Sequence, residues 1–280
     1  MKKISRRSFL AAAGLTVAAL ALTACGGSAS TASSAAASSV AASSEAASTS
    51  AAAELTTVEA GKLTMATNAA FPPYEMTTDA GAFEGIDIDT AQAIADKLGL
   101  ELQIDDMDFD AALLSVQQGK ADIAMAGVTV TDERKNVMDF SDSYATGIQS
   151  IIVPEGSDIA SPDDLAGKMI GTQRGTTGYI YCSDDFGDDA VVAYDDGLTA
   201  VQALNNGQVD AVVIDNAPAK EFVAANPGLV LLETSYAEED YAIGMAKGNT
   251  ALEDAVNAAL EELKADGTLQ SIVDKYITAE

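Results

Sequence analysis

The sequence predicts an α/β protein with two lobes of related build, each formed around a parallel β-sheet. Strand-like and helix-like segments alternate from about residue 62 onward in the 280-residue chain, which is typical of parallel α/β sheets. One local pattern also occurs twice. More than 200 residues follow an N-terminal low-complexity region, which is long enough for two lobes.

The first half of the folded part contains five alternating elements. Apolar runs of strand length are separated by amphipathic stretches of helix length, and Gly99 is a stop signal for the first helix. The elements are, in order, a strand at KLTMATN, a helix at DTAQAIADKLG, a strand at ELQIDDM, a helix at FDAALLSVQQG and a strand at ADIAMAGV. Thr131 is then expected to cap a further helix whose first turn contains Arg134.

After Ile148 the alternation begins again, which predicts a second sheet of the same kind. The elements are, in order, a short helix at DDLAG, a strand at KMIGTQ, a helix at TTGYIYCSDDF, a strand at AVVAYDD, a helix at LTAVQALNNG, a strand at DAVVID, a helix at PAKEFVAAN and a strand at LVLLE.

The repeated pattern relates the two halves. LSVQQGKADIAMAG and QALNNGQVDAVVID each end a helix in a polar pair and a glycine before an apolar strand. Gly119 corresponds to Gly207 at an offset of 88 residues, and the same offset aligns Gly127 with Asp215. We therefore expect Gly127 and Asp215 to end equivalent strands. Because ligands of open parallel sheets bind outside the carboxyl ends of strands, these ends predict one site with two walls.

Residues 1–24 predict an export signal, because a basic start precedes an apolar run that is too short and wrongly flanked for a membrane span. The stretch SRRSFL resembles a twin-arginine signal, although an arginine pair also occurs in ordinary leaders. The stretch LTAC matches the bacterial lipoprotein box, which implies diacylation of Cys25; a plain cleavage site is the alternative. Residues 25–54, rich in Ala and Ser, predict a flexible tether with an end-to-end distance of roughly 30 Å.

Composition excludes several classes of function. The leader contains four of the 15 basic residues and no acid, so the remainder has 11 bases against 43 acids and a formal net charge of −32. This charge argues against nucleic-acid partners and adsorption on anionic lipid. The absence of histidine excludes histidine-based metal sites and catalytic triads, and no metal or cofactor is expected. With Cys25 acylated, Cys182 would have no disulfide partner.

Arg134 and Asp215 predict a ligand that carries both charges. A cation in the first turn opposes the helix dipole, so we expect the Arg134 guanidinium to bind a ligand carboxylate through two hydrogen bonds. The Thr129 hydroxyl and N–H groups around Gly127 would complete this wall. Asp215 would face the ligand's ammonium group, which suits an α-amino acid. The alternatives are a surface ion pair for Arg134 and a helix cap for Asp215.

Six stretches together carry a family resemblance: NAAFPPYEM, FEGIDIDTAQAIADKLG, GKADIAMAGVTVTDERKNVMDFSDSY, DDLAGKMIGTQRGTT, GQVDAVVIDNAPA and LKADGTLQSIVDKY. Through them the chain resembles, from Lys62 to Ile277, the polar amino-acid group of bacterial extracellular solute-binding proteins, the receptors of ABC importers. The resemblance implies a monomeric receptor, not an enzyme, anchored to the cell membrane by Cys25. It would capture a polar L-amino acid and deliver it to the permease's transmembrane subunits.

The resemblance also implies the Venus-flytrap fold of periplasmic binding proteins, in which two α/β lobes joined by two hinge strands close on one ligand. Lobe 1 is expected to comprise residues 55–145 and 243–280, and lobe 2 residues 146–242. The crossing strands would lie near residues 145–148 and 239–243.

Five site residues that the resemblance implies bind the ligand's α-carboxylate and ammonium groups. Arg134, Thr129, the Gly127 backbone and the N–H of Thr177 would bind the carboxylate. Asp215, helped by Thr129 and the Gly127 carbonyl, would accept hydrogen bonds from the ammonium.

The remaining implied residues surround the ligand's side chain. Phe71 and Phe109 would sandwich it, although a loop anchor and a core residue are the alternatives. Thr176 belongs to the turn QRGTT, which has the glycine and hydroxyls that an anion-binding turn needs. Asn68 and Gln173 are neutral amides where relatives often have, respectively, an acid and either lysine or an apolar residue.

The two amides favour an uncharged polar side chain such as that of glutamine, or cystine. Glu75 and Asp87 keep lysine and arginine open, although Asp87 is expected to cap the following helix and Glu75 to be solvated. The main alternative function is a dehydratase of the same fold acting on a prephenate-type acid. Without histidine it would need Glu75, Asp87 or a neighbouring carboxyl group as general acid, with a pKa raised by burial.

Overall fold

The computed structural model describes residues 55–277. Three predicted features lie outside the described residues: the export signal, the lipidation of Cys25 with its tether, and residues 278–280 of lobe 1. Within residues 55–277, no helix has both the length and the apolar character that crossing a bilayer requires.

The described part of the chain is a mixed α/β structure. Its strands are β1 Lys62–Thr67, β2 Ala70–Phe71, β3 Glu75–Thr77, β4 Phe83–Glu84, β5 Glu101–Asp106, β6 Ile123–Ala124, β7 Met138–Phe140, β8 Ala145–Pro154, β9 Ile170–Gln173, β10 Val191–Tyr194, β11 Ala211–Asp215, β12 Leu229–Leu231, β13 Ala237–Tyr241 and β14 Gly244–Ala246. Its α-helices are α1 Ile86–Leu98, α2 Phe109–Gln117, α3 Asp132–Lys135, α4 Thr177–Phe186, α5 Gly197–Asn205, α6 Asn216–Ala225, α7 Thr250–Ala265 and α8 Thr268–Tyr276.

The first sheet has the strand order β5-β1-β6-β14-β7. Strands β5, β1 and β6 are parallel, as predicted, because helices α1 and α2 provide the connections between them. The apolar side chains Leu63 and Met65 of β1 are fully buried, as expected for a central parallel strand. Helices α7 and α8 pack against α1, so the last two helices belong to this lobe.

The second sheet repeats this plan, with the order β10-β9-β11-β8-β12 and β13 paired to β8. Strands β10, β9 and β11 are parallel, but β8 is antiparallel to β11, β12 and β13. In the first sheet β14 is likewise antiparallel to β6 and β7. The predicted parallel pairing therefore holds for the strands joined by crossover helices, and each sheet also contains antiparallel strands. A strand that enters or leaves a lobe without a crossover helix pairs in the antiparallel sense.

Two strands connect the lobes. β8 continues from the first lobe into the second sheet, and β13 returns beside it, with Ala145 paired to Tyr241 and Gln149 paired to Ala237. Beyond β13, Ala242 donates its N–H to the Val128 carbonyl at 3.0 Å, which joins the returning chain to the first lobe. The exact lobe boundaries given above remain our proposal.

The alternating elements that the sequence predicts are present, with two differences. The strand at ADIAMAGV shortens to β6, because Gly127 has a φ of 54° and turns the chain away from the sheet. The short helix at DDLAG is a 3₁₀ turn over Pro162–Leu165. The hairpin strands β2, β3 and β4 form a small third sheet that periodicity did not reveal.

Candidate functional site

A narrow cavity of about 10 Å³ lies between residues of the two lobes. All ten residues that the sequence analysis assigned to the ligand site line this cavity, and so do two that it did not assign. The lining residues are Asn68, Phe71, Glu75, Phe109, Ala126, Gly127, Thr129, Arg134, Gln173, Thr176, Thr177 and Asp215. Their assembly in one place is an observation; their roles toward a ligand remain predictions.

Arg134 reaches across the cavity from α3. Thr131 caps this helix as predicted, because its hydroxyl accepts a hydrogen bond from the Arg134 N–H at 3.2 Å. The guanidinium donates from Nη1 to the Thr129 carbonyl at 2.7 Å and from Nη2 to the Gly175 carbonyl of the other lobe at 3.1 Å. These bonds use two of the five guanidinium N–H donors, so three remain for a ligand.

The environment of Arg134 departs from the argument that predicted it. α3 has only four residues, so its dipole is weak and the arginine lies in its first and last turn at once. Burial lowers the pKa of Arg134, while the negative charge of Glu239 opposes that shift. The guanidinium carbon lies 5.3 Å from the centre of the Phe109 ring, a cation–π contact. Arg134 is therefore held by contacts on several sides and is not part of a surface ion pair.

Gly127 turns the chain at the edge of the cavity. A Cβ atom on Gly127 would lie 2.9 Å from the Phe71 ring and 3.2 Å from the Tyr241 ring, so only glycine fits without displacement. Its N–H donates to the buried Asp87 carboxylate at 3.0 Å, and the Tyr144 hydroxyl donates to the same group at 2.7 Å. The Gly127 N–H is thus already hydrogen-bonded within the protein, and its role in binding a ligand carboxylate stays a prediction.

Asp87 also differs from its predicted role as a helix cap. The residue at the cap position of α1 is Gly85, while Asp87 lies inside the first turn with its side chain fully buried. Burial raises the pKa of Asp87 to about 6, although the hydrogen bond from Gly127 opposes the shift. Asp87 therefore orients the loop that contains Gly127 and does not line the cavity itself.

Asp215 ends strand β11, as the internal repeat predicts. It precedes helix α6 but makes no side-chain capping bond, which argues against the capping alternative. Its Oδ2 accepts a hydrogen bond from Gln149 Nε2 at 2.7 Å, and its buried Oδ1 has no partner. Burial raises the pKa of Asp215 to about 7, with the charge of Glu239 contributing in the same direction.

Thr129 and Thr177 bring the two lobes together at one carboxylate. Their hydroxyl oxygens lie 3.4 Å apart, and both hydroxyls donate to Glu239 Oε2, at 3.1 and 2.9 Å. Gln149 Nε2 donates to the same oxygen at 3.0 Å. Thr129, Arg134, Thr177 and Asp215 are called the head cluster below.

Thr176 occupies the cap position of α4, where its hydroxyl accepts from the Tyr179 N–H at 3.3 Å and donates to the Gln173 carbonyl at 2.8 Å. This hydroxyl is therefore used within the turn. The Thr177 N–H lies in the first turn of the same ten-residue helix, where the helix dipole favours an anion.

Asn68 and Gln173 hydrogen-bond to each other across the lobes. Gln173 Nε2 donates to Asn68 Oδ1 at 2.8 Å, and Asn68 Nδ2 donates to the Met107 carbonyl at 3.0 Å. Together with the bond from Arg134 to Gly175, this contact shows a closed arrangement of the lobes. The two amides satisfy each other, so they have less hydrogen-bonding capacity for a ligand than the sequence suggested.

Glu75 is the lining residue that sequence reasoning misplaced. It was expected to be solvated, yet it is 0% exposed, and its carboxyl group lies beside that of Asp87, with no other hydrogen-bond partner for either oxygen. Burial and the neighbouring charge of Asp87 hold the pKa of Glu75 well above its usual value. The reason for its position is the hairpin of β2 and β3, which pairs Glu75 with Phe71. The signal that could have located it is this two-strand register behind the Pro-Pro turn.

Phe71 and Phe109 supply the apolar part of the lining. Both rings are nearly buried, at 7% and 5% exposure, and Phe71 stacks on Tyr74 with ring centres 5.9 Å apart. The cavity therefore combines two aromatic walls, a guanidinium, and two buried carboxyl groups. Such a set can bind a zwitterion whose side chain is partly apolar and ends in a polar or cationic group.

Comparisons with known proteins agree with this description. Residues 63–279 match the family described as bacterial extracellular solute-binding proteins, family 3. The chain is 32% identical over 226 residues to the L-cystine-binding protein TcyJ of Escherichia coli strain K12, covering 79% of this chain and 85% of that protein.

Two solved structures are similar over most of their length. An ancestral arginine-binding protein bound to glutamine is 41% identical, with a TM-score of 0.75 over 78% of this chain and 99% of its own. The arginine-, lysine-, histidine-binding protein ArtJ from Geobacillus stearothermophilus is 34% identical, with a TM-score of 0.75 over 78% of this chain and 96% of its own.

Proposed function

The chain belongs to family 3 of the bacterial extracellular solute-binding proteins, and we propose that its ligand is a cationic L-amino acid, with arginine preferred. It is an extracytoplasmic amino-acid-binding receptor of an ABC importer and not an enzyme. The two-lobed fold is that of the amino-acid-binding proteins. The dehydratase alternative finds no support among these relatives.

The observation that carries the proposed ligand is the carboxyl group of Glu75. It lines the cavity and is fully buried, and apart from the neighbouring Asp87 carboxyl group its two oxygens have no partner. Burial and Asp87 raise the pKa of Glu75, so its neutral form is favoured as long as no cation lies beside it. A guanidinium on the ligand would stabilise the charged form through two charge-assisted hydrogen bonds, which an uncharged ligand cannot provide.

The amide pair supports the same choice. The sequence favoured glutamine or cystine because Asn68 and Gln173 are amides, but in the structure these amides bind each other. Among the similar proteins, ArtJ is named for arginine, lysine and histidine, and the ancestral protein is an arginine-binding protein bound to glutamine. Glutamine and cystine, the latter because of TcyJ, are the competing ligands.

The roles that we propose within the site follow the charges of the ligand. Arg134 and the Thr177 N–H bind the α-carboxylate, and Asp215 accepts from the α-ammonium. Phe71 and Phe109 cover the aliphatic part of the side chain, with Thr176, Gln173, Asn68 and the Gly127 carbonyl completing the walls. Because these residues come from both lobes, binding favours the closed state.

The experiment is a calorimetric titration of the full chain with each of the twenty amino acids, with cystine included. We expect arginine to bind most tightly, lysine next, and glutamine more weakly, with no chemical change in the recovered ligand. Tightest binding of glutamine or cystine would contradict the cationic ligand while leaving the receptor function intact. Turnover of any ligand would contradict the receptor function.

We further propose that diacylated Cys25 anchors the receptor, that residues 25–54 tether it as a monomer, and that it delivers its ligand to the transmembrane subunits of a permease. The lipoprotein box and the low-complexity tract of the sequence support this. Cys25→Ser should release the protein from membranes with its amino-acid binding intact. Unchanged partitioning with membranes would contradict the anchor.

A further inference from the structure

We propose that Glu239, on hinge strand β13, is a positioning residue that turns the hydroxyl protons of Thr129 and Thr177 away from the cavity, so that both oxygens accept hydrogen bonds from the ligand's ammonium group. The inference rests on the proposed function, because it concerns how an amino acid is recognised in the same site. Glu239 does not line the cavity and was not found by the sequence analysis.

The position of Glu239 brings three donors to one oxygen. β13 pairs with β8, Glu239 lying opposite Gly147, and its side chain is buried at 6% exposure. Its Oε2 accepts from the hydroxyls of Thr129 and Thr177 and from Gln149 Nε2, all within 3.1 Å. One donor comes from the first lobe, one from the start of α4 in the second sheet's lobe, and one from the hinge strand β8.

Proton counting gives the consequence. A threonine hydroxyl has one proton and two lone pairs, so a hydroxyl that donates to Glu239 can only accept from any other neighbour. The two hydroxyl oxygens, 3.4 Å apart, then have no proton to share between them. Both residues line the cavity, which therefore receives lone pairs and no hydroxyl donors from them.

Gln149 connects Glu239 to Asp215 through hydrogen bonds. Its Nε2 has two protons, and these bond to Asp215 Oδ2 at 2.7 Å and to Glu239 Oε2 at 3.0 Å. The remaining oxygen of Asp215, Oδ1, has no partner at hydrogen-bond distance, although the Tyr241 hydroxyl lies close enough to this carboxylate to oppose the rise in its pKa. The cavity thus presents three acceptors, from Thr129, Thr177 and Asp215. An α-ammonium group has three N–H donors, so the two sets match in number and charge.

This arrangement also resolves the double role that the family resemblance implied for Thr129. A hydroxyl that gives its proton to Glu239 cannot donate to a ligand carboxylate. Carboxylate binding would then fall to Arg134 and the Thr177 N–H, and the hydroxyls would serve the ammonium. Glu239 acts through these hydroxyls and does not touch the ligand.

The test compares two ligands that differ only in the α-amino group: arginine and 5-guanidinopentanoate. Each is titrated calorimetrically into the full chain of the wild type, Glu239→Leu and Glu239→Gln, with Glu238→Gln, an exposed neighbour on the same strand, as the matched control. The leucine side chain introduced at position 239 cannot accept a hydrogen bond. The glutamine side chain introduced there keeps the size of glutamate and can place its carbonyl where Oε2 lies.

We expect Glu239→Leu to weaken arginine binding by roughly ten- to a hundredfold, the effect of a lost bond to a charged group, and to change binding of the analogue by less than about threefold. Glu239→Gln should also weaken arginine more than the analogue, but by a smaller factor. If the leucine variant does not fold, the glutamine variant provides the test. Glu238→Gln should leave both ligands unaffected. Equal losses for both ligands, or no loss for either, would overturn the positioning role. Failure of the wild type to bind any amino acid would instead overturn the proposed function.

Discussion

Asp215 and Glu75 are both buried carboxyl groups in the wall of one cavity, yet their surroundings differ. Asp215 is held by Gln149, which is held in turn by Glu239, and these connect it to the hydroxyls of the head cluster. Glu75 has only the neighbouring Asp87 carboxyl group beside it. One carboxyl group is therefore fixed by protein side chains, and we propose that the other takes its partner from the ligand.

These two environments suit two different tasks, the general recognition of amino acids and specificity for one side chain. Every α-amino acid has the same carboxylate and ammonium groups, so residues that bind them can be preorganised by permanent partners. The side chains of amino acids differ. A protein group that only one kind of ligand side chain can pair with therefore distinguishes that ligand from the others. The comparison predicts that changes in the head cluster affect all ligands, whereas changes at Glu75 affect cationic ligands alone.

Replacing Arg134 should give the largest effect and should not discriminate between ligands. For a receptor of micromolar affinity the total binding free energy is roughly −8 kcal/mol, and loss of one partner of a desolvated charge pair costs about 2–5 kcal/mol. Arg134→Ala should therefore weaken both arginine and glutamine by on the order of a hundredfold or more. Arg134→Lys should recover only part of the lost affinity, because an ammonium group cannot form two parallel hydrogen bonds to a carboxylate. Calorimetric titration measures the affinity of both variants.

The control for Arg134 is the stability of the unliganded chain. The guanidinium bonds two carbonyls in the closed structure, so the alanine variant loses some interlobe contact as well. We still expect its unfolding midpoint without ligand to change little compared with the loss of affinity. A loss of stability equal to the loss of binding free energy would identify Arg134 as a structural residue and remove it from the site.

Asp215→Asn should weaken all amino-acid ligands by roughly ten- to a hundredfold, because its N–H₂ group would face the ligand's ammonium. Unliganded stability should change in the opposite direction. A carboxyl group whose folded pKa is about 7, against 3.8 in the unfolded chain, stabilises the fold less as pH rises between those values. At pH 8 the variant should thus be more stable than the wild type, and this gain should vanish near pH 4. Thermal unfolding across this range tests it, and a loss of stability at pH 8 would contradict the assignment.

Much of the fold and the head cluster could be predicted from the sequence. The alternating elements follow from periodicity, and the repeat that aligns Gly127 with Asp215 located both walls, because equivalent strands end at equivalent edges of related sheets. Arg134 was expected at this place because of its charge, and it does line the cavity, while its role toward a ligand stays a prediction.

The rest depends on contacts between segments far apart in the chain. Glu239 acquires its place only when β13 pairs with β8, and Glu75 is turned inward by the β2–β3 hairpin. The mutual bond of Asn68 and Gln173 joins residues 105 positions apart. From the sequence alone, each of these polar residues is expected to be either solvated or in contact with a ligand. Periodicity cannot show which partners a fold gives to a single polar side chain.

Glu75→Gln should weaken the binding of arginine and not that of glutamine, whereas Asp215→Asn should weaken both. The Glu75→Gln variant loses the buried ion pair between residue 75 and the guanidinium of the bound arginine. Arginine binding should therefore weaken by roughly tenfold or more, since a hydrogen bond to a charged group contributes about 1.5–3 kcal/mol. Glutamine, whose side chain is uncharged, should bind the variant as well as or better than the wild type. Glu84→Gln, an exposed acid in the adjoining strand β4, is the control. Equal effects on arginine and glutamine would remove Glu75 from the specificity site.

The smallest effect concerns pH and isolates Glu75 from the other buried acids. Burial and Asp87 hold the pKa of Glu75 well above its usual value, so a cationic side chain that binds its charged form should displace a proton, and arginine affinity should rise with pH. Asp215 adds a similar dependence through the ligand's ammonium, but glutamine shares that contribution. The difference between the arginine and glutamine slopes therefore reports Glu75 and should stay below about tenfold per pH unit, the limit for one proton. Titrations between pH 5 and pH 8 should show this difference in the wild type and its disappearance in Glu75→Gln. Parallel slopes in the wild type would mean that Glu75 keeps its charge without the ligand, and that its protonation has no part in choosing the ligand.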